Sequence, residues 1–169
     1  MRGLALFLAA ALLFGGCGYN LPGRSANLPE GIETLHVELL KNRTPEPFLE
    51  NGLTDSVVSE FIRGRSLELA GSPEKADAIL SGVITGYSSD PISYDRNDNI
   101  TEYRSRLTAD FTLKRIGDGK VLWKGQFSWE EEYPASDDKA VQEDNEAAAV
   151  RIIDDRLAEE VYYNLVDGF

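Results

Sequence analysis

The 169-residue sequence holds one cysteine, Cys17, and one histidine, His36. A zinc site takes three or four ligands drawn from Cys, His and carboxylates, and a Ser-His or Cys-His nucleophile pair needs its imidazole. Hydrolytic chemistry, if there were any, would fall to carboxylates. A lone cysteine also excludes an internal disulfide. Cations are scarce as well: 17 Lys and Arg stand against 29 Asp and Glu, a formal net charge of −12. Nucleic-acid backbones are held mainly by Lys and Arg that displace counterions, so sequence-independent DNA or RNA binding is excluded. Gly82, Gly86, Gly117 and Gly119 form neither a Gly-x-Gly-x-x-Gly nor a Walker loop. Nucleotide binding has no support, and no cofactor or metal is expected. No internal repeat, low-complexity tract or second linker divides the chain, whose length suits one domain.

The single long apolar run is at the start. Arg2 is followed by the uninterrupted Leu4 to Phe14, then Gly15-Gly16-Cys17. A basic start, an apolar centre and small residues make a secretory signal. Eleven helical residues reach about 16 Å, short of a hydrocarbon core of about 30 Å, so the run is an export address rather than a permanent span. Small residues before a cysteine resemble the bacterial lipobox, although Phe14 replaces the usual Leu. Acylation, with palmitate among the chains, accounts for a solitary cysteine in an oxidising compartment. Several acyl chains at about 0.8 kcal/mol per buried methylene anchor a protein stably. Residues 1–16 are thus read as a lipoprotein signal peptide, Cys17 as the lipidated residue, 17–30 as a tether rich in turn residues, and 31–169 as one domain. Gly18, where an Asp would retain the protein at the inner membrane, resembles lipoproteins sorted to the outer membrane.

Within the domain, Leu35, Val37 and Leu39 alternate with Thr34, His36 and Glu38, predicting a half-buried strand over Ile32 to Leu40. After Pro45 and Pro47, the four-residue spacing of Leu49, Leu53, Val57 and Phe61 predicts an amphipathic helix to about Gly64. Leu67 to Ala70 reads as a short strand. Asp77 to Tyr87 is apolar on both parities, as in a central strand, and Ser88 to Asn99 reads as a polar connection. From Tyr103 the odd positions Leu107, Ala109, Phe111 and Leu113 are apolar, and after Gly117-Asp118-Gly119 the odd positions Val121, Trp123, Phe127, Trp129 and Tyr133 repeat the register. That is a long hairpin with one apolar face. Val150, Ile153, Leu157, Val161 and Leu165 predict a final helix, capped by Asp137 or Asp138 and stopped at Gly168. The fold class is α+β: a two-layer sandwich with two α-helices packed on a mostly antiparallel four- to five-stranded β-sheet.

Candidate chemistry is sparse. His36 reads as a surface residue. Glu130-Glu131-Glu132, Asp137-Asp138, Glu143-Asp144 and Asp154-Asp155 read as solvated acidic faces rather than a glycosidase pair or a cation loop. The charges are unevenly spread: residues 94 to 124 carry seven basic and five acidic side chains, a balance of +2, whereas 125 to 160 carry three and twelve, a balance of −9. The hairpin is therefore the cationic part of an anionic chain, where a polyanion would be drawn. The alternative is that these cations keep an exposed sheet face soluble and unpaired.

Cys17-Gly18-Tyr19-Asn20-Leu21 resembles the Cys-Gly-aromatic-x-Leu opening of the LPS-assembly lipoprotein family LptE. The resemblance continues through Ala76 to Gly82, Asp95-Arg96-Asn97, Thr101 to Arg104 and Glu143 to Glu146, and so spans nearly the whole mature chain. It implies a non-enzymatic, periplasm-facing lipoprotein of the outer membrane. Its implied partners are an LptD-type β-barrel, which it plugs and helps assemble, and lipopolysaccharide, which it helps insert into the outer leaflet. Arg96 matches the family's basic residue by position. A second basic position falls on or near Glu143, with Lys139 one turn earlier, and Arg104 and Arg106 are supporting candidates. The rival readings are an accessory of another envelope assembly, or a periplasmic carbohydrate-binding or carboxylate-dependent protein.

Overall fold

The computed structural model describes residues 31–166. The signal peptide, Cys17, the tether and the Gly168 stop lie outside the described residues. In chain order the elements are β1 (Thr34–Val37), β2 (Lys41–Asn42), α1 (Leu49–Gly64), β3 (Glu68–Leu69), a single 3-10 turn (Pro73–Lys75), β4 (Ala78–Tyr94), β5 (Ile100–Arg115), β6 (Val121–Pro134) and α2 (Lys139–Val166). The strands form one open sheet in the order β3-β1-β4-β5-β6, with β2 also on β4. The three long strands make an antiparallel meander, and the short β1, β2 and β3 pair in parallel. The expected two-layer α+β architecture holds, with six strands rather than four or five.

Both helices cover one face. Leu53, Val57 and Phe61 of α1 and Ile153, Leu157, Val161 and Leu165 of α2 share a core with Leu35, Leu80, Ile84, Leu107, Ala109, Phe111 and Leu113 of the sheet, all of them at most 1% exposed. Burial of each such side chain contributes on the order of 2 kcal/mol. Gly64 lets the helices meet, since a methyl there would stand 2.1 Å from the Tyr162 ring. The β5–β6 turn uses Gly119 at φ 70, a conformation that suits glycine. Asp138 caps α2, its Oδ1 accepting the Ala140 and Val141 N–H groups at 2.9 and 3.3 Å.

Two expectations about strands are corrected. The first strand was expected to run to Leu40 with Leu39 inward, but Leu39 is 62% exposed and Leu40 is buried. From Val37↔Leu80 to Lys41↔Val83 the first segment advances four residues and β4 only three. One extra residue exchanges the faces. The Ser88–Asn99 segment was expected to be a loop. Instead β4 continues to Tyr94 against β5, and Asp95–Asn99 is the whole turn. A register shift between Ile84 and Gly86 moves the inward face of β4 from even to odd positions, from Leu80, Gly82 and Ile84 to Tyr87 and Ser89. The shift breaks any simple alternation, and before it Ile79 and Val83, half-buried on the opposite face, make the strand apolar on both parities.

Between the helices lies Asp154, 2% exposed, with Oδ1 unpartnered among the described residues and Oδ2 2.5 Å from where a Gly52 methyl would stand. Burial, with a smaller push from Asp155, raises its pKa to about 7. A carboxyl whose pKa rises on folding contributes stability that is complete below its unfolded pKa, about 4, and is lost as pH rises through about 7. Asp154→Asn therefore gains on the parent by about 2–4 kcal/mol between pH 4 and pH 8.5 in urea unfolding. A gap between the two proteins that does not change with pH would contradict this placement of the charge.

Candidate functional site

The β4–β5 turn is built around Asp95. Its Oδ1 accepts the Asn97 and Asn99 N–H groups at 2.7 and 3.0 Å, and its Oδ2 accepts the Asn99 side-chain amide at 3.0 Å. These bonds, the Asn99 side chain foremost, hold its carboxyl below the ordinary range. Arg96 stands exposed on this braced turn, and its side chain makes no ion pair or hydrogen bond among the described residues. Ile92 and Tyr94 are exposed beside it on β4. The start of α2 reaches the same end of the molecule, because Ala135 N–H donates to the Thr101 carbonyl at 2.9 Å as β6 finishes. Lys139 is therefore brought to the Arg96 end. It pairs with Glu143 at 3.5 Å, so its charge is shared with the residue that replaces a family cation.

Arg104 and Arg106 are held differently. The register sets them opposite Glu132 and Glu130 of β6, with Asp90 and Ser88 of β4 on the other side. Alternation puts all of these on the outer face. Arg104 Nη2 donates to Glu132 Oε1 at 2.6 Å, and Arg106 Nε donates to Glu130 Oε2 at 2.9 Å. Arg104 Nη1 also lies 3.6 Å from Glu130 Oε1. The local excess of positive charge seen along the chain is thus offset across the strands. At this exposure the ladder adds little to stability, but among the described residues it leaves Arg96 as the ungripped cation of the tip.

Under the distal sheet lies a polar cluster that the sequence pattern did not reveal. The Tyr87 hydroxyl donates to Glu146 Oε1 at 2.5 Å and lies 3.1 Å from Ser105 Oγ, and Ser105 is fully buried. The Tyr133 hydroxyl meets Ser89 Oγ at 2.6 Å, and its ring stacks on Tyr103 with centroids 5.7 Å apart. Burial first, and then the bond to Glu146, raise the Tyr87 pKa. The polar inward run from Tyr87 to Ser89, next to Ser105, was the available signal. It is visible only once the shift in β4 is known. His36 Nδ1 lies 3.0 Å from the Ala70 carbonyl and serves the sheet. Among the described residues no group of three His, Cys, Asp or Glu side chains is arranged to hold a metal, and no helix is long and apolar enough to cross a membrane.

A family model described as LptE, lipopolysaccharide-assembly, matches residues 32–165. The chain belongs to the LptE family. Solved structures of similar fold include rare lipoprotein B from Shewanella oneidensis, 12% identical at a TM-score of 0.56, covering 80% of this chain and 95% of that one. Lipoprotein B from Nitrosomonas europaea is 12% identical at 0.59, covering 88% and 90%. A Xanthomonas campestris protein is 17% identical at 0.58, covering 86% and 93%. No curated protein matches the sequence. At these identities the structures show the fold alone, and the family assignment rests on the model. It makes this chain a lipopolysaccharide-assembly lipoprotein of the LptE type.

The Tyr87–Glu146 bond ties the front of α2 to the sheet beneath the tip. Tyr87→Phe removes the donor and leaves a half-buried carboxylate, at a cost of about 1–2 kcal/mol. Amide exchange should quicken in residues 139–146 more than in the second half of α2. Uniform exchange along the helix would show that the bond does not position its start.

Proposed function

We propose that the protein is a non-enzymatic lipoprotein of the outer membrane, anchored at Cys17 and facing the periplasm. In this reading it fills the lumen of an LptD-type β-barrel, helps that barrel assemble, and assists insertion of lipopolysaccharide into the outer leaflet. The family match over residues 32–165 carries the reading. The architecture supports it: the outer face of β5 and β6 carries Thr, Ser, Gln and charged residues, with pairs such as Thr108–Ser128 at 2.9 Å and Gln126–Asp110 at 2.7 Å, which suits a water-lined lumen. The greasy face is spent on the helices.

At the tip, Arg96 offers an unpaired guanidinium that can form bidentate bonds to a lipid A phosphate and compete there with divalent cations. Lys139 lies at the same end and becomes a second contact when Glu143 releases it. Arg104 and Arg106, gripped by Glu132 and Glu130, brace the ribbon rather than meet the lipid first. Arg96→Glu should weaken retention of purified lipopolysaccharide about tenfold and raise outer-membrane permeability to large antibiotics. Arg106→Gln should leave retention within about twofold. Equal loss from both would move the contact from the tip to the outer face, and no change with Arg96→Glu would remove the phosphate contact altogether.

A further inference from the structure

Residues 94 to 124 carry seven cations, and the tip and the ladder account for three of them, Arg96, Arg104 and Arg106. The other four, Lys114, Arg115, Lys120 and Lys124, stand at the opposite end of the hairpin, around the β5–β6 turn. With Asp118 as the one acid, residues 114–124 have a balance of +3 in a chain of −12. Asp118 takes Arg115, whose Nη1 lies 3.5 Å from Oδ2. Lys114, Lys120 and Lys124 are exposed, and their ammonium groups make no ion pair or hydrogen bond among the described residues. Two apolar side chains stand bare among them, Ile116 at 40% and Val121 at 43% exposure, and Val121 lies directly across from Lys114.

The first strand enters the domain beside this turn. Asp77 connects the two: its carbonyl accepts the Ile116 N–H at 2.9 Å, and its Oδ2 accepts the Glu33 and Thr34 N–H groups at 3.0 and 2.9 Å. Residues 17–30, which separate Cys17 from the domain, span at most about 50 Å. The 17 residues of β4 set the tip about 55 Å from this end. An anchor at Cys17 therefore keeps the β5–β6 turn near its membrane but does not by itself orient the domain. Glu33, and Glu74 on the 3-10 turn packed against β1, lie at the same end and confine the cationic surface to the β5–β6 side.

We propose that the β5–β6 turn docks on the anionic phospholipid surface of the leaflet that holds the Cys17 anchor, with Lys114, Lys120 and Lys124 on the headgroups and Ile116 and Val121 pressed between them. The proposal rests on the reading of Cys17 as acylated. Each Lys or Arg near an anionic surface strengthens binding about fivefold, too little to draw the domain from solution but enough once a tether confines it there. The acyl chains supply attachment and the turn supplies direction, so the domain stands on the turn with Arg96 held off the leaflet. The same surface repels the acidic remainder of the domain, which reinforces that direction. The contact belongs to the lipoprotein before the barrel encloses it. On entry the lipid surface is exchanged for the barrel wall, and one-to-one residence is kept.

The test uses the full-length lipidated protein in phosphatidylcholine vesicles with about 30% phosphatidylglycerol. The acyl group blocks Cys17, so Ile116→Cys and Tyr94→Cys each take one environment-sensitive fluorophore. Quenching by a spin label on the lipid headgroup should be at least about fivefold greater at 116 than at 94, because the tip stands about 55 Å away. Lys114→Glu combined with Lys120→Glu should cut the quenching at 116 about tenfold, as should pure phosphatidylcholine or about 0.5 M salt. Equal quenching at 116 and 94, or quenching at 116 that ignores both lipid charge and the lysine substitutions, would overturn the docking and leave the anchor in place. Quenching at 116 that needs lipopolysaccharide in the vesicles would overturn it too, assigning the turn to that ligand. A parent protein that itself takes the fluorophore, or washes off the vesicles, would show Cys17 free and remove anchor and docking together.

Discussion

The pairing of β4 with β5 is the interaction on which the rest of the structure depends. It runs from Ala78↔Arg115 to Tyr94↔Ile100 and is long enough to serve two purposes along one ribbon. Its proximal half lays Leu80, Ile84, Ala109, Phe111 and Leu113 under the helices, where burial supplies the stability. The shift between Ile84 and Gly86 then turns Tyr87 and Ser89 inward, so the distal half meets the start of α2 through hydroxyls and a carboxylate. Without that shift, Ser88 and Asp90 would face inward in their place.

The proposed function uses the same division. The apolar half needs nothing from outside, and the distal half extends a braced turn that carries a cation which no acid of its own strand or sheet holds. Neutralising Arg104 and Arg106 within the sheet has a cost in free charge and a gain in shape, because a ladder of paired side chains keeps the ribbon defined up to its tip. The contact proposed at Arg96 would discriminate by position rather than by total charge, as a chain of net charge −12 requires.

The strands of the meander that bury one face were legible in the sequence, because Leu107 to Leu113 alternate strictly with polar residues and Trp123, Phe127, Trp129 and Tyr133 keep the same parity despite Gly125 and Glu131. So were both helices, through the spacing of Leu49 to Phe61 and of Ile153 to Leu165. The distal half of β4 was not, since Ser88, Ser89, Asp90, Pro91 and Ser93 carry no burial signal and are ordered by backbone pairing with β5. Leu39 and Leu40 exchanged faces because one extra residue lies between two short parallel pairings. Arg96 was legible as a turn residue. The partners of Arg104 and Arg106 were not, because they lie on another strand and depend on a register that local patterns do not specify.

Equimolar residence in a barrel is the claim from which the lipid contact takes its meaning, and co-purification measures it. Envelopes solubilised in mild detergent, with the lipoprotein tagged at its C-terminus, should yield one very large β-barrel protein in equimolar amount, resistant to high salt. Recovery of the lipoprotein without such a barrel, or with a different envelope assembly, would contradict the account.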